Sequence, residues 1–322
     1  MVKQCVIVLA LTLLHAASAL AGGTDAYPAW RAAATRTLAA RGDAGSLTTA
    51  AALTFLGSPR PKVESAKAAA ALDLAVKASE RAPNDPAISW LRLQLCTYAP
   101  GCDVRDAATT MRWVAADNSA AWLPTLAVAQ KDRDTTEVDR VLASMAEGAH
   151  FDLYANRTAV MMFDALKRAR AHLPAHYLTS DLARLAEAKG IADAVLLPSF
   201  SPLINACRDS TATPERREDC LTLSKTMQRA DTIMAQLVGF AIQKRLTPSD
   251  AKESRMIAER RRLLEWRAAA ANQSDEPASP RLRNLRARSQ VRKMRAMPRE
   301  EDVYIAILRE FDMPLDPPED QR

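Results

Sequence analysis

Glycine, aromatic residues and long apolar runs are all scarce in this sequence, and each scarcity removes a class of protein. There are 9 glycines in 322 residues, and none falls in a G-x-x-x-x-G-K-[ST] or G-x-G-x-x-G arrangement, so neither backbone cradle for a phosphate group is present. The G-x-S-x-G turn that presents a nucleophilic serine is missing as well. Aromatic residues make up 5% of the chain. Sheets favour aromatic and β-branched side chains, whereas alanine, abundant here, loses no side-chain entropy in a helix. Beyond the N-terminal segment, no apolar run approaches the roughly 20 residues that a membrane-spanning helix needs.

What is present reads as a folded all-α protein. Hydrophobic residues make up 48% and charged residues 25% of the chain, close to globular averages. The net charge is +6 and the isoelectric point about 9.2, but the excess is spread along the chain and names no partner. At the N-terminus Lys3 precedes the apolar stretch Cys5 to Leu14. Small residues follow, ending in Ala17-Ser18-Ala19 or Ala19-Leu20-Ala21. That order predicts a secretory signal over residues 1–21, cleaved after Ala19 or Ala21, and a mature chain with no transmembrane segment that is periplasmic or secreted. Cys5 lies inside the apolar run, so it is not the acylated first residue of a lipoprotein.

Removal of the signal leaves Cys96, Cys102, Cys207 and Cys220. Four cysteines allow three pairings, and proximity favours Cys96 with Cys102 and Cys207 with Cys220. Zinc is a poor alternative, because neither pair has the short ligand spacing and no histidine stands beside either.

Helix signals run along the chain. Asp85 followed by Pro86 opens a helix carrying Trp90 and Leu93; Tyr98 to Cys102 breaks it. Asp103 then caps a second helix, with Val104, Ala107, Ala108, Met111, Val114 and Ala115 at helical spacing. A further hairpin follows Asn118-Ser119, through Trp122, Leu126 and Ala129 and then Val138, Leu142 and Met145. Trp90, Trp122 and Tyr154 recur at a period of 32 residues (122 − 90 and 154 − 122). Such a period implies hairpins that bury their apolar faces against neighbours. With Trp90 and Leu93 three apart in the first helix of a unit, residues 64–172 resemble a tetratricopeptide-type repeat. The match departs from the family pattern at Gln94, Thr125 and Arg157, and its period is shorter. The resemblance implies stacked helical hairpins, α-solenoid-like, over residues 22–207.

Ser180 to Lys189 reads as a short helix ended by Gly190. Thr213-Pro214 starts a long helix with Cys220, Leu223, Met227, Ala230, Met234, Leu237 and Ala241 at steps of three and four. A helix from Thr247-Pro248 through Trp266 folds back on it as a long antiparallel hairpin over residues 208–272. An intermolecular partner for that seam is the alternative. Residues 273–322 read as a basic linker and tail. Arg281 to Arg299 holds eight lysines and arginines and no acidic residue, with apolar positions scattered around a helix, and a short helix follows over Val303 to Phe311. The stretch Asp316-Pro317-Pro318 reads as disordered.

Candidates for chemistry are thin. His172 and His176 have the i, i+4 spacing of zinc enzymes, but Pro174 interrupts the helix and no glutamate supplies a base. His150 reads as a surface or capping residue, and the sequons at Asn156 and Asn272 as chance matches. The set Trp30, Trp90, Trp113, Trp122 and Trp266 reads as core. No residue is singled out as catalytic, as a cofactor contact or as a metal ligand, and no cofactor is implied. The expectation is an exported, non-catalytic helical-repeat protein that binds a protein or peptide partner. The alternative is binding of anionic envelope components or nucleic acid through Arg281 to Arg299, and a third possibility is an enzyme whose carboxylates meet only in space.

Overall fold

The structure, a computed structural model, describes residues 26–56, 65–169, 178, 180–208, 213–247, 252–273 and 279–318. The expected signal segment, His172 and His176 lie outside them. Helices run in the order α1 (Ala26–Arg41), α2 (Ala44–Phe55), α3 (Ser65–Arg81), α4 (Pro86–Cys96), α5 (Val104–Val114), α6 (Leu123–Lys131), α7 (Thr135–Glu147) and α8 (Ala155–Ala169). They continue with α9 (Asp181–Leu196), α10 (Ser201–Ala206), α11 (Pro214–Met227), α12 (Ile233–Leu246), α13 (Lys252–Gln273), α14 (Pro280–Ala296) and α15 (Glu300–Glu310). A 3₁₀ turn, Ser119–Trp122, leads into α6. The chain is all-α, with no strand among the described residues.

Short polar side chains set the helix starts. Asp43, Asp85, Asp103, Asp134, Ser180, Thr213, Thr232 and Ser279 each accept a hydrogen bond from a first-turn N–H. Each such cap is worth about 1 kcal/mol. Both expected disulfides are formed, Cys96–Cys102 across the end of α4 and Cys207–Cys220 between the end of α10 and α11. Alanines let α2 and α3 approach closely: Ala50, Ala51, Ala52, Ala68, Ala71, Ala75 and Ala78 are all fully buried.

Packing reaches beyond sequence neighbours. α8 lies against α1, α2 and α4, and α9 lies against α8, α4 and α2. The Trp90 indole N–H donates to the Leu196 carbonyl at 3.1 Å, tying α4 to the far end of α9. One main core runs from Trp30 to Leu308, so the N-terminal helices and the tail share a single apolar interior.

Three local expectations change. Gly190 does not end a helix: α9 continues to Leu196, because Ile191, Ala192, Val195 and Leu196 remain buried and glycine costs only about 1 kcal/mol relative to alanine. The long helix expected from Thr213 is two, α11 and α12, because Thr232 caps a new start at Ile233, its hydroxyl accepting the Ala235 N–H at 3.3 Å. These two pack against each other, and α13 lies on α12. The basic segment is not a linker; it forms α14, which packs on α8, α9 and α15 with Ala287, Val291 and Met294 buried. Residues 311–315, beyond α15, are docked, for the Arg267 guanidinium donates to the Leu315 carbonyl at 3.1 Å and Phe311, Met313 and Leu315 pack on the core.

Gly239 marks the closest approach of α11 and α12. A Cβ there would lie 2.8 Å from both the Met227 Cβ and the Ser224 carbonyl oxygen. Neither atom can swing away. Alanine at 239 gains up to about 1 kcal/mol of helix propensity, while overpacking costs about 1–3 kcal/mol or more. We therefore expect Gly239→Ala to lower the urea midpoint; an unchanged or raised midpoint would contradict this helix contact.

Candidate functional site

Two places gather polar and aromatic groups from separate helices. The first is buried, where α8, α9, α12 and α15 converge. Asp231, just before α12, accepts the Leu153 N–H at 2.8 Å and the Ala155 N–H at 3.3 Å, so its carboxylate sits on the N-terminus of α8. Glu300 repeats the arrangement one step on. Its backbone N–H donates to the Asp231 carbonyl at 2.8 Å, its Oε2 accepts the Ile233 N–H of α12 at 2.9 Å, and its Oε1 meets Lys189 Nζ of α9 at 2.8 Å. Lys189 also pairs with Asp193 at 3.0 Å. Two carboxylates thus complement the positive ends of two helices to which they do not belong.

Electrostatics follow from burial. Burial pushes the Asp231 carboxyl well above the usual carboxylate range, and the nearby Asp152 charge adds to the shift. Asp152 is itself raised by burial, against the opposing pull of His150 and Arg299. Burial works against the Lys189 ammonium, yet the Glu300 and Asp193 carboxylates hold it well above its ordinary value. The Tyr304 phenol is pushed up to about 12, mainly by burial. Beside this cluster, Asn156, Lys189, Gln290, Glu300 and Tyr304 line a cavity of about 10 Å³, the size of a single water. The cluster holds ionisable groups of the kind an acid–base site uses, but its cavity does not hold a substrate.

The second place is exposed, where α5 and α7 flank the 3₁₀ turn. The Arg112 guanidinium lies 4.1 Å from the centroid of the Trp122 ring, and that of Arg140 lies 5.5 Å from the same ring. Arg140 is held by Glu137 through two hydrogen bonds of 2.6 Å, and Arg105 reaches Asp132 at 3.2 Å. Among the described residues Arg112 donates to two hydroxyls, to Thr109 Oγ1 at 2.8 Å and Thr125 Oγ1 at 3.5 Å. Burial and the neighbouring Arg140 charge lower its pKa from the ordinary arginine value. Next along α5, Trp113 is 85% exposed.

The helix itself explains that exposure. Successive residues step about 100° around an α-helix. Ala107, Ala108 and Met111 turn to the core, which leaves Arg112, Arg105, Thr109, Trp113 and Asp106 in that order across the outer arc. Trp30 and Trp90 are buried and Trp122 and Trp266 half-buried, so reading every tryptophan as core fails at Trp113. Its position off the Val104, Ala107, Met111 face carried the signal. The pairing of Arg112 and Arg140 over Trp122 had none, because the two arginines belong to different helices.

The other sequence candidates fall into place. His150 is half-exposed, with Nε2 at 3.8 Å from Asp152. Asn156 is buried in α8 and donates to the Met297 and Pro298 carbonyls at 3.3 and 3.1 Å. In the basic segment, Arg288 pairs with Asp181, Lys293 with Glu310, Arg295 with Asp164 and Arg299 with Glu301, while Arg286 covers the Phe311 ring at 4.3 Å. Arg281, Arg283 and Arg292 are exposed. No group of three or more histidines, cysteines or carboxylates with metal-binding geometry occurs among the described residues, and no described helix is long and apolar enough to cross a membrane. No protein-family model, no curated protein and no solved structure matches this chain.

The buried carboxyls give a pH dependence of defined sign. Ordinary aspartate titrates near pH 3.9. As pH rises past that value, the unfolded chain loses the proton first, so the stability contributed by a raised carboxyl is full at low pH and lost toward its folded pKa. Asp231→Asn removes this dependence at 231. We expect the destabilisation caused by Asp231→Asn, read from urea unfolding, to shrink between pH 4 and pH 8; a destabilisation that grew with pH would mean that the carboxyl is not raised.

Proposed function

We propose that this chain is an exported, disulfide-stapled helical interaction protein that binds a protein or peptide partner through the outer face of α5 and its neighbours. The observation that carries the reading is Trp113, 85% exposed in the middle of an otherwise polar arc. Its ring contributes little to the fold, and tryptophan is among the side chains most enriched where binding energy concentrates. Export rests on the sequence of residues 1–21, and two disulfides fit an oxidising compartment. The tetratricopeptide-type resemblance belongs to the same proposal. Trp90 and Leu93 are both fully buried, as the repeat reading requires, and α4 with α5 and α6 with α7 pack as successive pairs. The competing reading, anion binding through Arg281 to Arg299, has less support. Five of its eight cations, Arg286, Arg288, Lys293, Arg295 and Arg299, already have partners within the fold.

The test compares Trp113→Ala with the unaltered protein. Truncating so exposed a side chain should change unfolding free energy by no more than about 0.5 kcal/mol, whereas loss of a binding hot spot costs about 2 kcal/mol or more in affinity. We expect a protein retained from a cell-envelope extract by the tagged mature chain to be lost with Trp113→Ala, at unchanged thermal stability. Retention of the same proteins by both forms would overturn the assignment of this face.

A further inference from the structure

Accepting that α5 carries the partner-binding face, we infer that Arg112 and Trp113 together recognise an acidic segment of the partner, with Arg112 receiving a carboxylate and Trp113 an adjoining apolar side chain. Arg112 is placed for this role by what surrounds it. Its guanidinium carbon lies 4.1 Å from the Trp122 ring centroid, and two of its nitrogens donate to Thr109 Oγ1 at 2.8 Å and Thr125 Oγ1 at 3.5 Å. The fork is therefore oriented before any ligand arrives, which lowers the entropy lost on binding.

Charge points the same way. Among the described residues no carboxylate lies within 4.0 Å of Arg112, while its neighbours Arg105 and Arg140 are each satisfied by one. Arg112 is half-buried, with the Glu137 carboxylate near enough to favour its charge but committed to Arg140 through two hydrogen bonds, so an arriving carboxylate can form the charge-assisted pair that Arg112 lacks. The Trp122 indole covers one face of the Arg112 guanidinium and keeps water from it.

The same neighbourhood selects the kind of anion. Asp103, Asp106, Asp132 and Glu137 stand around the patch on α5, α7 and the turn between α6 and α7. A nucleic-acid backbone or a phospholipid surface would bring many negative charges against these four carboxylates. One or two carboxylates on a peptide meet Arg112 without that repulsion. Trp113, about 100° further around α5 than Arg112, offers the adjoining apolar contact.

The experiment is a selection from a random-decapeptide phage library against the immobilised mature protein, repeated with Arg112→Gln, Arg112→Glu and Trp113→Ala. We expect peptides carrying aspartate or glutamate beside a large apolar residue, binding the unaltered protein at least tenfold more tightly than Arg112→Gln and weakening as salt rises. Arg112→Glu should turn the selection toward lysine and arginine, a change that unfolding cannot produce. Circular dichroism of each variant keeps loss of fold separate from loss of binding. Trp113-dependent peptides without acidic enrichment would overturn this inference and leave the interaction reading standing; no Trp113-dependent peptide at all would overturn both. Arg112-dependent binding of duplex DNA or phosphatidylglycerol vesicles in preference to acidic peptides would also overturn it.

Discussion

Glu300 ties three separate parts of this protein together. Through Oε1 it reaches Lys189 in α9, through Oε2 the first turn of α12, and through its own N–H the carbonyl of Asp231. Asp231 in turn holds the N-terminus of α8. Helices separated by up to 111 residues of chain are thereby fixed to one another at a point that is nearly closed to water. A partly buried carboxylate of this kind is costly to leave unpaired. Removing one partner of a buried pair costs about 3–5 kcal/mol, far more than the net worth of the pair against an apolar substitute. The neighbouring Glu301 extends the same junction to α13 through Arg260 and Arg267 at 3.2 and 3.0 Å.

This junction sets α15 and α14 into the body, and α14 then draws on the basic residues of residues 281–299. Asp181 illustrates how they are used. It lies almost wholly buried at the start of α9, where Arg184 of its own helix and Arg288 of α14 both bond it. Although burial opposes ionisation, those two bonds hold its carboxyl below the usual range. Glu310 is lowered in the same way, against burial, by bonds from Lys293 and Ser289. A run that looks like a polyanion-binding tail in one dimension has, in three, half of its cations paired with carboxylates, of which Asp181 and Asp164 lie 107 and 131 residues away in sequence.

Local signals were legible in the sequence, and relations between distant helices were not. Asp85, Asp103 and Thr213 announced helix starts because a capping side chain acts on an N–H two or three residues away. Both disulfides followed from cysteines separated by 6 and 13 residues. Gly190 misled because a glycine can end a helix or simply be tolerated in one, and burial of Ile191 onward decides between the two. The break before α12 was hidden since the apolar spacing from Cys220 to Ala241 runs through it unchanged; Thr232 and the close contact at Gly239 mark it only once α11 is seen alongside. Glu300, Asp231 and Lys189 are ordinary charged residues in sequence, and their meeting depends on the packing of four helices. Trp113 was readable from its place off the apolar face of α5, while the Arg112 and Arg140 pair over Trp122 was not, since nothing local relates a residue of α5 to one of α7.

Fold and surface thus divide their charged groups by solvent access. Around Glu300 they lie inside and define how helices meet; around Arg112 they lie at the surface on a rigid helix, which suits recognition. Native-state hydrogen exchange of the full chain with Glu300→Gln is the most direct test of that division. The substitution keeps the side-chain shape and removes the charge facing Lys189. We expect the amides of α8, α9, α12 and α15 to lose protection by a similar free energy, while those of α5 keep theirs. Loss confined to α15, with α8, α9 and α12 unchanged, would contradict the role given to Glu300 as the junction on which the helical body depends.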